Sequence, residues 1–63
     1  MSKQANSAAE REQLAEAVRN RCVQELLQAW EEAGISGLCG DGRWEVALGR
    51  LRTLTGQELL SDQ

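Results

Sequence analysis

The residues of this chain that could do chemistry are two cysteines and a small group of arginines. Cys22 and Cys39 are the only thiols among 63 residues, and the sequence contains no histidine. Two thiols cannot complete the four-ligand shell of a structural zinc ion. Without a histidine, a cysteine nucleophile has no imidazole base beside it, and the carboxylates are scattered rather than paired. We therefore expect no metal, no cofactor and no enzymatic activity.

The stretch from Gly34 to Glu45, GISGLCGDGRWE, concentrates the remaining candidates for a site. Its glycines match neither the dinucleotide fingerprint nor the P-loop, so turn formation is the simpler explanation for them. Cys39 lies in this stretch close to the predicted start of a helix and to Arg43, and both would favour a thiolate. Two interpretations of Cys39 stay open: a small apolar residue that packs the elbow, or a reactive thiol that acts as a switch.

Three arginines in the second half of the chain, Arg43, Arg50 and Arg52, could form a contact surface for RNA or DNA. The whole chain, however, carries seven Lys and Arg against ten Asp and Glu, a net charge of −3. Binding of nucleic acid depends on cationic side chains that neutralise phosphates. Nucleic acid is therefore the alternative partner, and another protein is the preferred one.

The elements that position these residues begin with one long helix. Ser7 and Glu10 have the types and spacing of a capping box, and no helix breaker follows until Gly34, a residue suited to the left-handed position after a helix. The pattern predicts helix 1 over about 8–33. Residues 1–6 are expected to be a disordered tail, and residues 7–63 a single helical-hairpin domain.

A second, shorter helix follows the elbow. Asp41 is a good N-cap, and an apolar stripe at helical spacing then predicts helix 2 over about 42–54. Thr55 and Glu58 form a second capping box, which predicts a short turn or helix over about 56–61. The expected fold class is all-α, a helical hairpin.

The apolar arc of helix 1 is too wide for one neighbour. It covers about 220° of the helix, whereas a single packed face needs little more than about 100°. A domain of this size seldom builds a sufficient core alone. We therefore expect a homodimer, a four-helix bundle, with a small three-helix monomer as the alternative. The predicted dimer or partner interface consists of Leu14, Val18, Cys22, Val23, Leu26 and Leu27.

The elbow is expected to enclose an apolar cluster in which the two tryptophans of the chain lie near each other. Its predicted members are Trp30, Ile35, Leu38, Cys39, Trp44, Leu48 and Leu51. The two cysteines are expected to stay free, because Cys22 lies mid-helix and Cys39 in the loop. The polar start of the chain has no apolar leader segment, and no apolar run reaches the length of a membrane span. These features favour the cytoplasm.

The run WEEAGISGLCGDGRWEVALGRLRTL, residues 30–54, resembles short uncharacterised bacterial proteins with an AGI-x-GLC-x-x-G-x-WE run between two predicted helices. The resemblance spans about 40% of the chain. It implies a bacterial or phage origin and a helical hairpin, and it carries over no functional residue. The sequence thus predicts a small non-enzymatic protein-interaction or regulatory module. Binding of RNA or DNA and a thiol switch at Cys39 are the alternatives.

Overall fold

The computed structural model describes residues 7–61, and this part of the chain is all helical, without a strand. Helix α1 covers Ala8–Ile35, α2 covers Gly40–Thr53 and α3 covers Gly56–Ser61. α2 folds back along α1, and α3 makes a smaller contact with α1. The predicted all-α helical hairpin is therefore confirmed. The expected tail, residues 1–6, lies outside the described residues.

Both predicted capping boxes are present. The Glu10 N–H donates to Ser7 Oγ at 3.1 Å, and the Ser7 N–H donates to Glu10 Oε1 at 2.9 Å. At the start of α3, the Glu58 N–H donates to Thr55 Oγ1 at 3.1 Å, and the Thr55 N–H donates to Glu58 Oε1 at 3.0 Å. Each pair satisfies N–H groups that the first turn of a helix leaves without a partner.

The predicted end of helix 1 at Gly34 is wrong. α1 passes through Gly34 and ends at Ile35, and the glycine with the left-handed backbone is Gly37, with φ of 91°. The Gly37 N–H donates to Gly34 O at 3.0 Å, and the Leu38 N–H donates to Ala33 O at 3.1 Å. These two hydrogen bonds form a Schellman motif, so Gly37 performs the role that the sequence analysis gave to Gly34.

The predicted start of helix 2 is also wrong. α2 begins at Gly40, with Cys39 in the N-cap position, where its backbone is extended. Asp41 therefore lies in the first turn rather than at the cap. A carboxylate is favourable there too, because the N-terminal end of the helix dipole attracts negative charge.

The buried part of the contact between α1 and α2 is made of small side chains. The residues buried within the described chain are Ala29, Ala33 and Ala47, and Ala47 has no exposed surface at all. None of the large apolar side chains of residues 7–61 is fully buried. Alanines allow two helix axes to approach closely, but they bury little apolar area. The single chain thus has a helix–helix contact in place of a hydrophobic core.

The hairpin is elongated because its helices differ in length. At about 1.5 Å per residue, α1 is about 42 Å long and α2 about 21 Å, so the N-terminal half of α1 extends beyond α2. The radius of gyration is 15.3 Å and the principal extents are 52 × 17 × 14 Å. A compact chain of this length would have a radius of gyration of about 11 Å. Among the described helices, none combines the length and the apolar character that crossing a bilayer requires.

Candidate functional site

The predicted interface residues of helix 1 lie on a surface that the described chain covers only in part. We call Leu14, Val18, Cys22, Val23, Leu26 and Leu27 the α1 apolar face. None of the six is buried: Leu27 is 59% exposed and Val23 43% exposed, Leu14 is also exposed, and the other three are half-buried. The structure therefore leaves Leu14, Val23 and Leu27 of the α1 apolar face accessible to a further helix, and the other three members keep only part of their surface.

The predicted apolar cluster at the elbow is wrong for four of its seven members. Ile35 is 86% exposed and Trp44 54% exposed, and Leu38 and Cys39 are exposed as well. The other three members, Trp30, Leu48 and Leu51, are half-buried. For Trp44 the physical reason is the rotation of α2 about its own axis, which places Ala47 against α1 and leaves the edge with Trp44 open. Ile35, Leu38 and Cys39 lie at the end of α1, in the connection and at the N-cap of α2, where their side chains stay exposed.

Arg43 occupies the position near Trp30 that was expected for Trp44. Arg43 Nε donates to the carbonyl oxygen of Trp30 at 3.1 Å, and Arg43 Cζ lies 4.5 Å from the centre of the Trp30 ring. The guanidinium fills the space beside Gly34, where an added Cβ would lie only 2.5 Å from Arg43 Cζ. This arrangement explains why a glycine stands inside the last turns of α1. We call it the Arg43–Trp30 contact.

Arg50 makes the second polar contact between the helices. Arg50 Nε lies 2.7 Å from Glu25 Oε1, and Arg21 Nε lies 2.8 Å from Glu25 Oε2. The hydrogen bond from Arg50 and then that from Arg21 lower the pKa of the Glu25 carboxyl group. Glu25 is therefore held as a carboxylate between two cations, and Arg50 is tied to α1.

These contacts change the interpretation of the three arginines predicted to meet nucleic acid. Arg43 and Arg50 hold α2 against α1. Arg52 stays exposed on the other side of α2, beside Trp44 and Glu45. The structural role of Arg43 and Arg50 was not predicted from the sequence. The signal in the sequence that could have indicated the position of Arg43 was Gly34, because glycine weakens a helix and its presence in α1 therefore needs an explanation.

We expect Gly34→Ala to be stabilising only when Arg43 is absent. In a helix interior, Gly→Ala is worth about 1 kcal/mol of stability, but beside Arg43 the new methyl group displaces the guanidinium. Gly34→Ala should therefore bring no gain in the native chain and a gain of about 1 kcal/mol in Arg43→Met, which is a coupling free energy of about 1 kcal/mol. Urea unfolding of the four variants of this cycle measures it.

Gly49→Ala is the matched control for this cycle. Gly49 also lies inside a helix, and nothing stands within 4 Å of an added Cβ. Gly49→Ala should stabilise both the native chain and Arg43→Met by about 1 kcal/mol. Equal stabilisation by Gly34→Ala and Gly49→Ala in the presence of Arg43 would contradict the account of Gly34.

Cys39 is an exposed free thiol at the N-cap of α2, and Cys22 is a half-buried free thiol in α1. The backbone N–H of Gly42 and then that of Asp41 lower the pKa of the Cys39 thiol, because they stabilise the thiolate. The Arg43 guanidinium, which was expected to favour the thiolate, lies on the Trp30 ring instead. Exposure of the thiol and its lowered pKa together favour alkylation or oxidation at Cys39.

We expect Cys39 to be alkylated faster in the folded chain than in the unfolded chain at neutral pH. The lowered pKa raises the thiolate fraction below the usual thiol pKa of about 8.5, so the two rates should converge above that pH. The measurement is the rate at which iodoacetamide alkylates Cys39 in the variant Cys22→Ser, with and without denaturant, as a function of pH. A folded-state profile with its midpoint at or above the unfolded one would refute the prediction.

The described residues contain no group of three Cys, Asp or Glu side chains placed to hold a metal ion. Comparison of the chain with protein-family models, with curated proteins and with solved structures gives no match. The chain's own surfaces are therefore the guide to its function.

Proposed function

We propose that this chain is a small non-enzymatic interaction module that works as a homodimeric helical hairpin in the cytoplasm and binds a further protein in that form. The observation that carries the proposal is the α1 apolar face. It contains six apolar side chains, none of them buried, in a chain whose buried residues, within the described part, are three alanines.

Energetic considerations support self-association. Specific protein interfaces bury about 800 Å² per partner, which is about a sixth of the 4662 Å² of accessible surface of this chain. Small domains without disulfides or metals commonly gain their missing apolar burial from a second subunit. A second copy is always available at the concentration of the chain itself, and two-fold dimers are the commonest homo-oligomers.

Binding of RNA or DNA remains the alternative proposal, and the structure gives it less support than the sequence did. Two of its three arginines, Arg43 and Arg50, form intramolecular contacts, although Arg50 stays exposed as Arg52 does. Two exposed arginines, one of them already paired with Glu25, offer few phosphate contacts on a chain of net charge −3. Affinity for a labelled RNA or DNA that falls steeply with salt would favour this alternative.

The test of the proposed function is thermal unfolding at different protein concentrations, followed by far-ultraviolet circular dichroism. Association of folded chains stabilises them by mass action, so the midpoint should rise as the concentration rises from about 1 μM to about 100 μM. The same series with added RNA examines the alternative. A midpoint that is independent of concentration would overturn self-association.

A further inference from the structure

Glu25 lies where charged groups of two helices meet. Its side chain is only 13% exposed, and both of its oxygens are engaged: Oε1 accepts a hydrogen bond from Arg50 Nε at 2.7 Å and Oε2 one from Arg21 Nε at 2.8 Å. We infer that the charge of Glu25 decides the conformation of the hairpin. α2 lies against α1 while the Glu25 carboxylate is ionised, and it swings away from α1 when that charge is lost.

The ion pair between Arg50 and Glu25 holds the end of α2 that the chain itself does not hold. α2 begins at Gly40, directly after the short connection from α1, so the covalent linkage keeps its start close to α1. Arg43 adds the Arg43–Trp30 contact near that start. Arg50 lies in the last turn of α2, which ends at Thr53. Loss of the ion pair therefore frees the far end of α2, with the connection as the pivot.

The apolar part of the contact does little to hold α2 in place. The buried residues of the described chain are Ala29, Ala33 and Ala47. Burial of a methyl group contributes much less than burial of a leucine side chain, because the stabilisation follows the apolar area removed from water. An ion pair that would matter little beside a large hydrophobic core therefore has a large share in closing this hairpin.

Loss of the Glu25 charge leaves the two arginines without a common partner. A guanidinium carries only donors, and protonation turns one carboxyl oxygen of Glu25 into a donor, so one of the two charge-assisted hydrogen bonds is lost. Arg21 and Arg50 then lie close together without a negative charge between them, and like charges repel. Glu32 of α1 and Glu58 of α3 also attract Arg50, but both lose their own charge in the same acidic range.

The pH range of the opening follows from the direction of the pKa shift. The hydrogen bond from Arg50 and then that from Arg21 lower the pKa of Glu25 in the closed hairpin, below the usual glutamate value of about 4.3. The ion pair therefore contributes to closure above that value, and the contribution is lost as the pH falls through the lowered pKa. The midpoint of opening in the native chain should lie below a pH of about 4.3.

The test is the distance between two spin labels on one chain. Gln24 in α1 and Thr53 in α2 are exposed, and both are replaced by cysteine in a chain with Cys22→Ala and Cys39→Ser. Each labelled chain is mixed with an excess of unlabelled chain, so that only distances within one chain contribute even if chains associate. Glu25→Gln imitates the protonated carboxyl group at neutral pH, because its amide has one acceptor oxygen and a nitrogen that only donates.

The chain with Glu25 should show one narrow distance at neutral pH. Glu25→Gln should show a broad distribution at longer distances, with a ratio of closed to open chains about tenfold lower, since a hydrogen bond to a charged group is lost.

Glu16→Gln is the matched control for the loss of a paired carboxylate. Glu16 lies 3.2 Å from Arg19 of the same helix, and this contact also lowers the pKa of the Glu16 carboxyl group. Because this pair does not join two helices, Glu16→Gln should keep the narrow distance and the acid midpoint of the native chain.

Exchange of the two charges distinguishes the role of the ion pair from a general loss of folding. Glu25→Arg alone adds a cation beside Arg21 and Arg50 and should open the hairpin. Glu25→Arg combined with Arg50→Glu again places a carboxylate between two cations, now at residues 21 and 25, and should recover most of the narrow distance. Identical distance distributions for Glu25 and Glu25→Gln, or no recovery in the double variant, would overturn the inference.

Discussion

Ala47→Leu should lower the free energy of unfolding by about 2–3 kcal/mol, the upper part of the range for an overpacked contact. Ala47 is the residue of α2 without exposed surface, and Ala29 and Ala33 are the buried residues of α1. Three additional carbon atoms at this point must push α2 away from α1. The displacement also weakens the Arg43–Trp30 contact, so the loss exceeds that of a local clash. Urea unfolding at a single protein concentration measures the change.

Ala9→Leu is the matched control for this prediction. Ala9 lies in α1, where it is exposed, and the substitution adds the same three carbons. Its effect on unfolding should stay within about 0.5 kcal/mol, as for most surface substitutions. If Ala47→Leu were as harmless as Ala9→Leu, the close alanine contact between α1 and α2 would not exist in solution.

Val23→Lys is expected to raise the dimer dissociation constant by roughly 100-fold. Val23 belongs to the α1 apolar face and is 43% exposed, so lysine should leave the helix and the hairpin intact. In a two-fold dimer the change occurs twice, and about 1.4 kcal/mol lost at each site gives a factor of ten per site.

Gln24→Lys is the control for charge alone. Gln24 is the next residue of α1 and is exposed, but it lies on the opposite side from the α1 apolar face. It adds the same charge and should change the dimer dissociation constant less than about threefold, which corresponds to about 0.7 kcal/mol. If both variants weakened association equally, net charge rather than burial of Val23 would be responsible.

The sequence was sufficient for features that depend on neighbours along the chain. The boxes Ser7–Glu10 and Thr55–Glu58 were predicted correctly because each is formed by a serine or threonine and a glutamate three residues later. The end of α1 was not predicted correctly, because the stretch from Gly34 to Glu45 holds several glycines. Only the backbone of the folded chain shows that Gly37 is the one with a positive φ. Gly34 has a role that depends on Arg43, nine residues further on.

The sequence was insufficient for the rotation of one helix against another. Periodicity placed Trp44 and Ala47 on one apolar stripe, but it could not show that Ala47 alone reaches full burial. Arg43 and Arg50 were interpreted as surface charge because their partners, Trp30 and Glu25, belong to another helix. Contacts between helices decide these positions, and spacing within one helix does not encode them.

The most direct test of the central claim, self-association through the α1 apolar face, is sedimentation equilibrium of the unmodified chain over about 1–300 μM. The account predicts an average mass that rises toward twice the chain mass of 6.9 kDa and that falls back toward one chain mass in Val23→Lys. A mass of one chain across the whole series would contradict it.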